Sequence, residues 1–259
     1  MTDVHVNEYN ENVTAMLELV WGRGFMAPGG EGNVHRIVEG IDLTDRTVLE
    51  IGSGTGGGAL VLAGQYGARV IGLEVEAPLI DRARKYASEA GLDDRVEFRL
   101  VKPGPLMIDD GGIDIVYSSG VIIHIEDKPA LFNDVLRVLK PRGIFTAYDW
   151  LKGPGPLSPA MHEWIRLEEL TFYLDTLDSY EKALAECGFL EVATRDASDW
   201  YADEAKREYE RMNEPLYDQI TDLVGAQSRD HFLKDWSAMV RVLQSGELRS
   251  GYFRGTKPG

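Results

Sequence analysis

The sequence predicts an α/β fold: a doubly wound, Rossmann-like and mostly parallel sheet with flanking helices and a helical lid. Two observations carry this prediction. Between residues 42 and 149, short apolar runs alternate with amphipathic stretches, which is typical of a parallel sheet with crossover helices. The run VLEIGSGTGGG, residues 48–58, also places a glycine-rich turn between the first strand and the first helix of that region.

The alternating region contains three predicted crossover helices. Pro78 suits the first turn of the second helix, and Gly91 stops that helix. Asp127 can cap the third helix. The strands are predicted at 47–51, 69–73, 96–101, 113–117 and 144–147, and the helices at 57–66, 78–90 and 127–140.

The C-terminal third begins with KGPGPLSP, residues 152–159, which is too rich in Pro and Gly for a regular element. Helices are predicted beyond it at 161–171 and 178–187, a strand at 190–195, mostly helix over 200–243, and a short strand at 251–256. We therefore predict an N-terminal helical arm over 1–41, a Rossmann-like core over 42–150, and a helical lid with sheet-completing strands over 151–259.

Composition and charge limit the possible partners. The 259 residues include 43 acidic and 27 basic side chains, a formal net charge of −16, which disfavours nucleic acid and membrane surfaces as partners. One cysteine, Cys187, excludes an internal disulfide, and the histidines other than His124 show no metal-ligand spacing, so we expect no metal site. No apolar run reaches about 18 residues and the N-terminal residues are polar, so we expect a cytoplasmic protein.

The glycine turn and an acidic residue together indicate a nucleoside site. Gly52, Gly54 and Gly56 follow the first strand directly, where glycine permits a tight positive-φ turn and close approach of a ligand. Glu74 comes eighteen residues after Gly56, at the end of the second strand. A carboxylate at that place can accept hydrogen bonds from both hydroxyls of a ribose.

The turn alone leaves the cofactor open. Gly52, Gly54 and Gly57 also satisfy G-x-G-x-x-G, so a nicotinamide or flavin nucleotide must be considered. Glu50 separates the possibilities, because it lies two residues before the first glycine, on a strand that dinucleotide folds usually keep apolar. A carboxylate there can meet the positively charged amino-acid end of S-adenosylmethionine.

These residues resemble the successive motifs of class I S-adenosylmethionine-dependent methyltransferases. The resemblance covers residues 42–149 and includes the Glu50-to-Gly56 motif, Glu74, Asp114 in IDIVYS, and LFNDVLRVLKPRGIF. It implies S-adenosyl-L-methionine as cofactor, with Glu50 and the glycines at its methionine end and Glu74 at its ribose. The cofactor-binding residues expected from it are Met26, Glu50, Gly52, Ser53, Gly54, Gly56, Glu74, Val75 and Ser119.

Nearly the whole chain also resembles phosphoethanolamine N-methyltransferases and related small-amine methyltransferases. This resemblance is carried by Tyr9, VWGRGFMAPGG (20–30), His124 in GVIIHIED, SDW (198–200) and GYFRGTK. The resemblance implies that Tyr9 and His124 are the catalytic residues, which close over the ligands and relay a proton. It makes an amine nitrogen the expected methyl acceptor.

The sequence departs from that family at three places. The acid expected near adenine is absent from Val101-Lys102-Pro103, and the candidates to replace it are Asp109 and Asp110 of the following loop. Gly120 replaces the family's aspartate before the histidine. The groups that hold the substrate phosphate align with Leu170, Met239 and Trp150, which supply neither cation nor phenol, so we expect an acceptor without a phosphate.

The function predicted is therefore methyl transfer from S-adenosylmethionine to a small molecule, first of all to an amine nitrogen. Carbon and oxygen acceptors remain open. A nicotinamide-dependent oxidoreductase and a non-catalytic cofactor-binding protein are the alternatives from other classes. The sequence makes no prediction about oligomeric state.

Overall fold

A computed structural model of the chain describes residues 10–259, whose strands form one seven-stranded sheet in the order β3-β2-β1-β4-β5-β7-β6. The first five strands along the chain pair in parallel, and β7 runs antiparallel to both β5 and β6. This confirms the predicted doubly wound, mostly parallel sheet. The strands are β1 (Thr47–Ile51), β2 (Arg69–Glu74), β3 (Val96–Leu100), β4 (Ile113–Ser119), β5 (Leu139–Lys152), β6 (Leu190–Asp196) and β7 (Leu248–Thr256).

Nine α-helices accompany the sheet within residues 10–259. A short 3-10 helix, Ile122–His124, follows β4. None of the helices in this part of the chain is long and apolar enough to cross a membrane. The helices are α1 (Glu11–Trp21), α2 (Gly30–Ile37), α3 (Gly57–Gly64), α4 (Ala77–Glu89), α5 (Lys128–Val138), α6 (Pro159–Glu168), α7 (Leu177–Cys187), α8 (Ser198–Asn213) and α9 (Tyr217–Gln244).

The strand order reverses between β1 and β4. From β1 the chain builds outward through β2 and β3, and it then returns to place β4 on the other side of β1. Such a reversal leaves a crevice beyond the carboxyl ends of the two strands, where doubly wound proteins bind their ligands. The glycine turn follows β1 and the 3-10 helix with His124 follows β4, so the topology brings both predicted features to this crevice.

Several element boundaries differ from the sequence-based expectation, and those of β5 and α6 are described here. Strand β5 spans 14 residues instead of the four at 144–147, because it pairs with β7 as far as Lys152 and with β4 from Leu139. Helix α6 ends at Glu168, not at 171, because Glu169 adopts a left-handed conformation with φ of 56°. Residues 169–176, which we call the 169–176 segment, are irregular and continue to α7.

The apolar core has three parts. Two of them cover the two faces of the sheet. The third, the helical cap, joins α1, α6, α8 and α9 around the fully buried Trp164 and Tyr201. Helix α1 thus packs with the C-terminal helices. The boundaries at 41 and 150 stay a prediction.

Candidate active site

The turn after β1 is built so that only glycine fits at its critical positions. Gly52, Gly54 and Gly56 all have positive φ, at 73°, 50° and 89°. A Cβ on Gly52 would also lie 2.3 Å from Cγ2 of Val121, far inside van der Waals contact. A side chain here would therefore carry both backbone strain and a clash. The sequence-based reading of the turn as tight and positive in φ agrees with this geometry.

The carboxylate of Glu74 is fixed by three backbone amides. Its Oε2 accepts from the N–H of Gly54 at 2.8 Å, and Oε1 accepts from the N–H groups of Val75 at 2.7 Å and Glu76 at 3.0 Å. Burial raises the pKa of Glu74, while these hydrogen bonds oppose the rise. Each carboxylate oxygen can accept two hydrogen bonds, so Oε2 retains capacity for a hydroxyl of a ligand.

Glu50 is a buried acid with one carboxylate oxygen that is not hydrogen-bonded within the described part of the chain. Its side chain is 4% exposed, and Oε2 has no hydrogen-bond partner among the described residues. Burial raises the pKa of Glu50 to about 8. Its Oε1 lies where a Cβ on Gly58, in the first turn of α3, would come within 2.2 Å. A cationic group bound beside Glu50 would supply the missing partner, which fits the ammonium of a methionine moiety.

One cavity of about 1080 Å³ connects the glycine turn with the end of β4. Its walls include the residues predicted to bind the cofactor, with the exception of Gly56, together with the predicted catalytic His124. Gly56 lies behind the turn, where a Cβ would approach the ring of Phe98 to 2.8 Å, so its part in cofactor binding stays a prediction. The wall residues from the predicted set are Met26, Glu50, Gly52, Ser53, Gly54, Glu74, Val75 and Ser119.

His124 ends the 3-10 helix and is oriented by the 169–176 segment. Its Nδ1 lies 3.0 Å from the carbonyl oxygen of Thr171, and its ring packs 5.3 Å from that of Phe172 between centroids. Because a carbonyl oxygen only accepts, Nδ1 carries the hydrogen, and Nε2 holds the lone pair of the neutral ring. The other predicted catalytic residue, Tyr9, lies outside the described residues, and its role stays a prediction.

Asp149, which was not predicted from the sequence, forms a hydrogen bond with the backbone of the 3-10 helix. It is fully buried near the end of β5 and accepts from the N–H groups of Ile123 and Trp150, both at 2.8 Å. Burial raises the pKa of Asp149 to about 7, against the opposing effect of these bonds and of Lys128. An acid inside an apolar strand, the same signal that singled out Glu50, could have identified it.

The loop after β3 forms another wall of the cavity, and none of the loop residues that line the cavity is acidic. Val101, Lys102 and Pro103 line the cavity, whereas neither Asp109 nor Asp110 does so. Asp110 instead pairs with Arg137 at 2.5 Å. The geometry therefore gives no support to an adenine contact from Asp109 or Asp110.

Helix α5 supplies the carboxylate that faces this loop. Asp134 lines the cavity, accepts from the N–H of Leu106, and binds Arg137 at 2.7 Å. Asp134 was not predicted from the sequence, because its place in the helical pattern of α5 is typical of an exposed residue. No group of three or more His, Cys, Asp and Glu side chains within residues 10–259 is arranged to hold a metal ion.

The three positions that align with phosphate-holding groups offer no cation in this structure. Leu170 lines the cavity. Trp150 packs in the helical cap, with its ring 5.5 Å from Trp164 and 6.1 Å from Tyr201 between centroids. Met239 is buried beside them and accepts a hydrogen bond from the hydroxyl of Tyr201 at 3.4 Å. Of the three positions, Trp150 and Met239 are not among the described cavity walls, and an acceptor without a phosphate stays a prediction.

Residues 49–147, from β1 through β5, match the family model of a methyltransferase domain. This part of the chain is a methyltransferase domain. The family resemblance stated from the motifs is thereby confirmed, as is S-adenosyl-L-methionine as the cofactor, and the nicotinamide alternative is removed. The glycine turn, Glu50 and Glu74 are the parts of this methyltransferase domain that fit such a cofactor.

Relatives and solved structures resemble the chain beyond the methyltransferase domain. It is 30% identical over 241 residues to a phosphoethanolamine N-methyltransferase of Triticum aestivum, covering 93% of this chain and 47% of that protein. It is 25% identical over 259 residues to a phosphoethanolamine N-methyltransferase of Plasmodium falciparum, covering 97% of this chain and 94% of that protein. The chain spans about half the length of the wheat, Arabidopsis and maize relatives it matches.

The fold is shared with a solved structure of Haemonchus contortus phosphoethanolamine N-methyltransferase 2 in complex with phosphomonomethylethanolamine and S-adenosylhomocysteine. The TM-score is 0.91 at 23% sequence identity, and the match covers 98% of this chain and 59% of that chain. At this identity the similarity establishes the fold.

Proposed function

We propose that this protein transfers a methyl group from S-adenosylmethionine to the amine nitrogen of a small, non-phosphorylated molecule. The observation that carries the proposal is that a single cavity joins the cofactor-fitting turn and Glu74 to a histidine whose tautomer is set by the Thr171 carbonyl. A site of this kind holds a cofactor and an acceptor together and provides a base between them.

The charge of the cavity favours an amine over an anionic acceptor. Among the described wall residues, the Lys and Arg side chains are Lys102 and Arg137. Both lie on the side of the cavity near β3 and α5, and Arg137 is already paired with Asp110 and Asp134. The wall near His124 comes from Leu170, Thr171 and Tyr173. Carboxylates outnumber these cations: Glu50, Glu74, Glu76, Glu126, Asp127 and Asp134. An amine is cationic in water and is drawn to such a cavity, whereas an anionic phosphate meets an excess of acidic groups there.

When bound, the cofactor supplies a methyl group that is already activated by a sulfonium, so this chain mainly positions the acceptor and excludes water. Glu50 would hold the ammonium end of the cofactor, and Glu74 would hold its ribose. An amine attacks only when neutral, and Nε2 of His124 would take the proton that the acceptor nitrogen loses, directly or through Tyr9. The Thr171 carbonyl keeps Nδ1 protonated and so keeps the lone pair on Nε2.

The names of the relatives support the same chemistry at a coarser level. The wheat and Plasmodium proteins are named for N-methylation of an amine, which agrees with an amine nitrogen as acceptor. The phosphate part of those names has no cation or phenol at Leu170, Trp150 or Met239 of this chain to hold it. A cytoplasmic location belongs to the same proposal.

The test is a methyl-transfer assay with an acceptor panel: ethanolamine and its N-methylated forms, phosphoethanolamine, a phenol and a carboxylic acid. We expect turnover of non-phosphorylated amines above all others. His124→Asn should lower kcat by about 100-fold to 10,000-fold, the usual contribution of a general base. His162→Asn, which removes an exposed histidine from α6, is the matched control and should leave kcat unchanged.

Other outcomes lead to different conclusions. Preferred turnover of the phenol or the acid would replace nitrogen by oxygen as the acceptor atom. Preferred turnover of phosphoethanolamine would overturn the non-phosphorylated class. Micromolar binding of S-adenosylhomocysteine with no turnover on the panel would support a non-catalytic cofactor-binding protein.

A further inference from the structure

Lys128, the first residue of α5, is a buried lysine at the junction between the 3-10 helix and the 169–176 segment. It is 4% exposed. Its Nζ donates to the carbonyl oxygens of Ile125 at 3.1 Å and Tyr173 at 2.5 Å, and it lies 3.4 Å from a carboxylate oxygen of Asp175. A buried ammonium is tolerated only with such partners. The lysine therefore links the chain just after His124 to the segment that lines the cavity.

Two further hydrogen bonds join the same two pieces of chain. The N–H of Tyr173 donates to the carbonyl of Ile123 at 2.7 Å, and Nδ1 of His124 donates to the carbonyl of Thr171 at 3.0 Å. Thr171 and Tyr173 both line the cavity beside His124. The bond that orients the histidine is thus made by a segment without regular structure, which needs support from outside itself.

We infer that Lys128 is a positioning residue: by holding Tyr173 and Asp175 against the 3-10 helix, it places the Thr171 carbonyl that orients His124 and the wall that meets the acceptor. The inference rests on the proposed function for its catalytic consequence. Its structural content, the placement of the 169–176 segment, can be tested without any turnover.

The surroundings of Lys128 explain why a cation is needed there. Its charge is met by Asp175 of the segment and by the buried Asp149 of β5, while the ring of Tyr180 on α7 lies 5.7 Å from Nζ. A neutral side chain would leave the carbonyl oxygens of Ile125 and Tyr173 and the carboxylate of Asp175 without this partner. The 169–176 segment would then lose its main anchor to α5.

The central variant is Lys128→Met, which keeps the length and apolar stem of the side chain and removes the ammonium. We expect acceptor kcat/KM to fall by about 100-fold, as for a misplaced catalytic group, with S-adenosylhomocysteine affinity within twofold of wild type. Lys128→Arg should restore part of the loss because it keeps a donor cation. Lys182→Met, which removes an exposed lysine paired with Glu186, is the matched control.

Two measurements separate positioning from general stability. Hydrogen exchange of the Tyr173 amide should accelerate at least tenfold in Lys128→Met, while amides in β1 keep their protection. Nitrogen-15 spectra of His124, assigned with His124→Asn, should show the Nδ1–H tautomer in the wild type and a mixture of tautomers in Lys128→Met. Should Lys128→Met fail to fold, Asp175→Asn removes only the half-exposed partner and should show the same changes in smaller measure.

The inference is overturned by unchanged acceptor kcat/KM, unchanged Tyr173 exchange and an unchanged His124 tautomer in Lys128→Met. It is also overturned if Asp175→Asn, used in place of an unfolded variant, changes none of them. If the wild type methylates no amine, the proposed function fails, whereas the exchange and tautomer measurements still decide the role of Lys128.

Discussion

The carboxylate of Glu74 accepts a hydrogen bond of 2.8 Å from the backbone N–H of Gly54 and so joins the end of β2 to the turn after β1. The same side chain would hold the ribose and shape the turn beside it. Glu74→Ala should weaken S-adenosylhomocysteine binding by about 10-fold to 100-fold, the cost of losing charge-assisted hydrogen bonds. Calorimetric titration measures this. Glu97→Ala, an exposed acid of β3, should bind like the wild type; equal affinity in Glu74→Ala would exclude the ribose contact.

Gly58 leaves room for the Glu50 carboxylate. An added Cβ would lie 2.2 Å from Oε1 of Glu50, so Gly58→Ala must displace that carboxylate or the start of α3. We expect S-adenosylhomocysteine affinity to fall by at least about 10-fold, since a buried charged contact is disrupted. Gly64→Ala, in the same helix, places its Cβ 3.5 Å from Leu92 and should stabilise the helix by up to about 1 kcal/mol without changing affinity. Equal affinity in both variants would contradict the assigned role of Glu50.

The raised pKa of Glu50, about 8, makes cofactor binding depend on pH. Glu50 is largely protonated below that pH in the ligand-free protein, and a bound ammonium favours its ionised form. Affinity for S-adenosylhomocysteine should therefore rise as pH increases from 6.5 to 8, by up to about tenfold per pH unit, with release of a proton on binding. Calorimetry in buffers of different ionisation enthalpy measures both. Glu50→Gln should bind weakly with a flat pH profile; an unchanged slope would assign the proton to another group.

Glu208 anchors α1 to the C-terminal helices through two indole donors. It is 1% exposed and accepts from Nε1 of Trp21 at 2.8 Å and Nε1 of Trp236 at 3.2 Å. Burial raises its pKa from 4.5 to about 7, although both hydrogen bonds oppose the rise. Between these pH values the folded state binds more protons than the unfolded state, so the contribution of Glu208 to stability is present below pH 4.5 and is lost as pH rises to 7.

Glu208→Gln should remove this dependence. The loss of unfolding free energy between pH 4.5 and 7 should be smaller than in the wild type, by up to about 3 kcal/mol. Denaturant unfolding at several pH values measures the difference. Glu210→Gln, an exposed position of the same helix, should keep the wild-type profile; the same profile in Glu208→Gln would show that Glu208 does not titrate in this range.

The sequence alone predicted the sheet, its five parallel strands and the cofactor turn because those features are local. Alternating apolar runs mark buried strands, and glycines at 52, 54 and 56 mark a turn that no other residue can make. Glu50 and Glu74 were found for the same reason, since each stands at a defined distance from that turn. The family resemblance added His124 and Tyr9, which spacing alone would not have singled out.

Tertiary structure decided which distant side chains act together. Asp149, Asp134 and Lys128 belong to a strand and a helix that look ordinary in the sequence, and only the packing of the fold brings them to the cavity or to the 3-10 helix. The tautomer of His124 depends on the carbonyl of Thr171, 47 residues away. Sequence patterns report the local preferences of the backbone and the burial of each face, whereas hydrogen bonds between distant segments exist only once the sheet and the helical cap have closed around them.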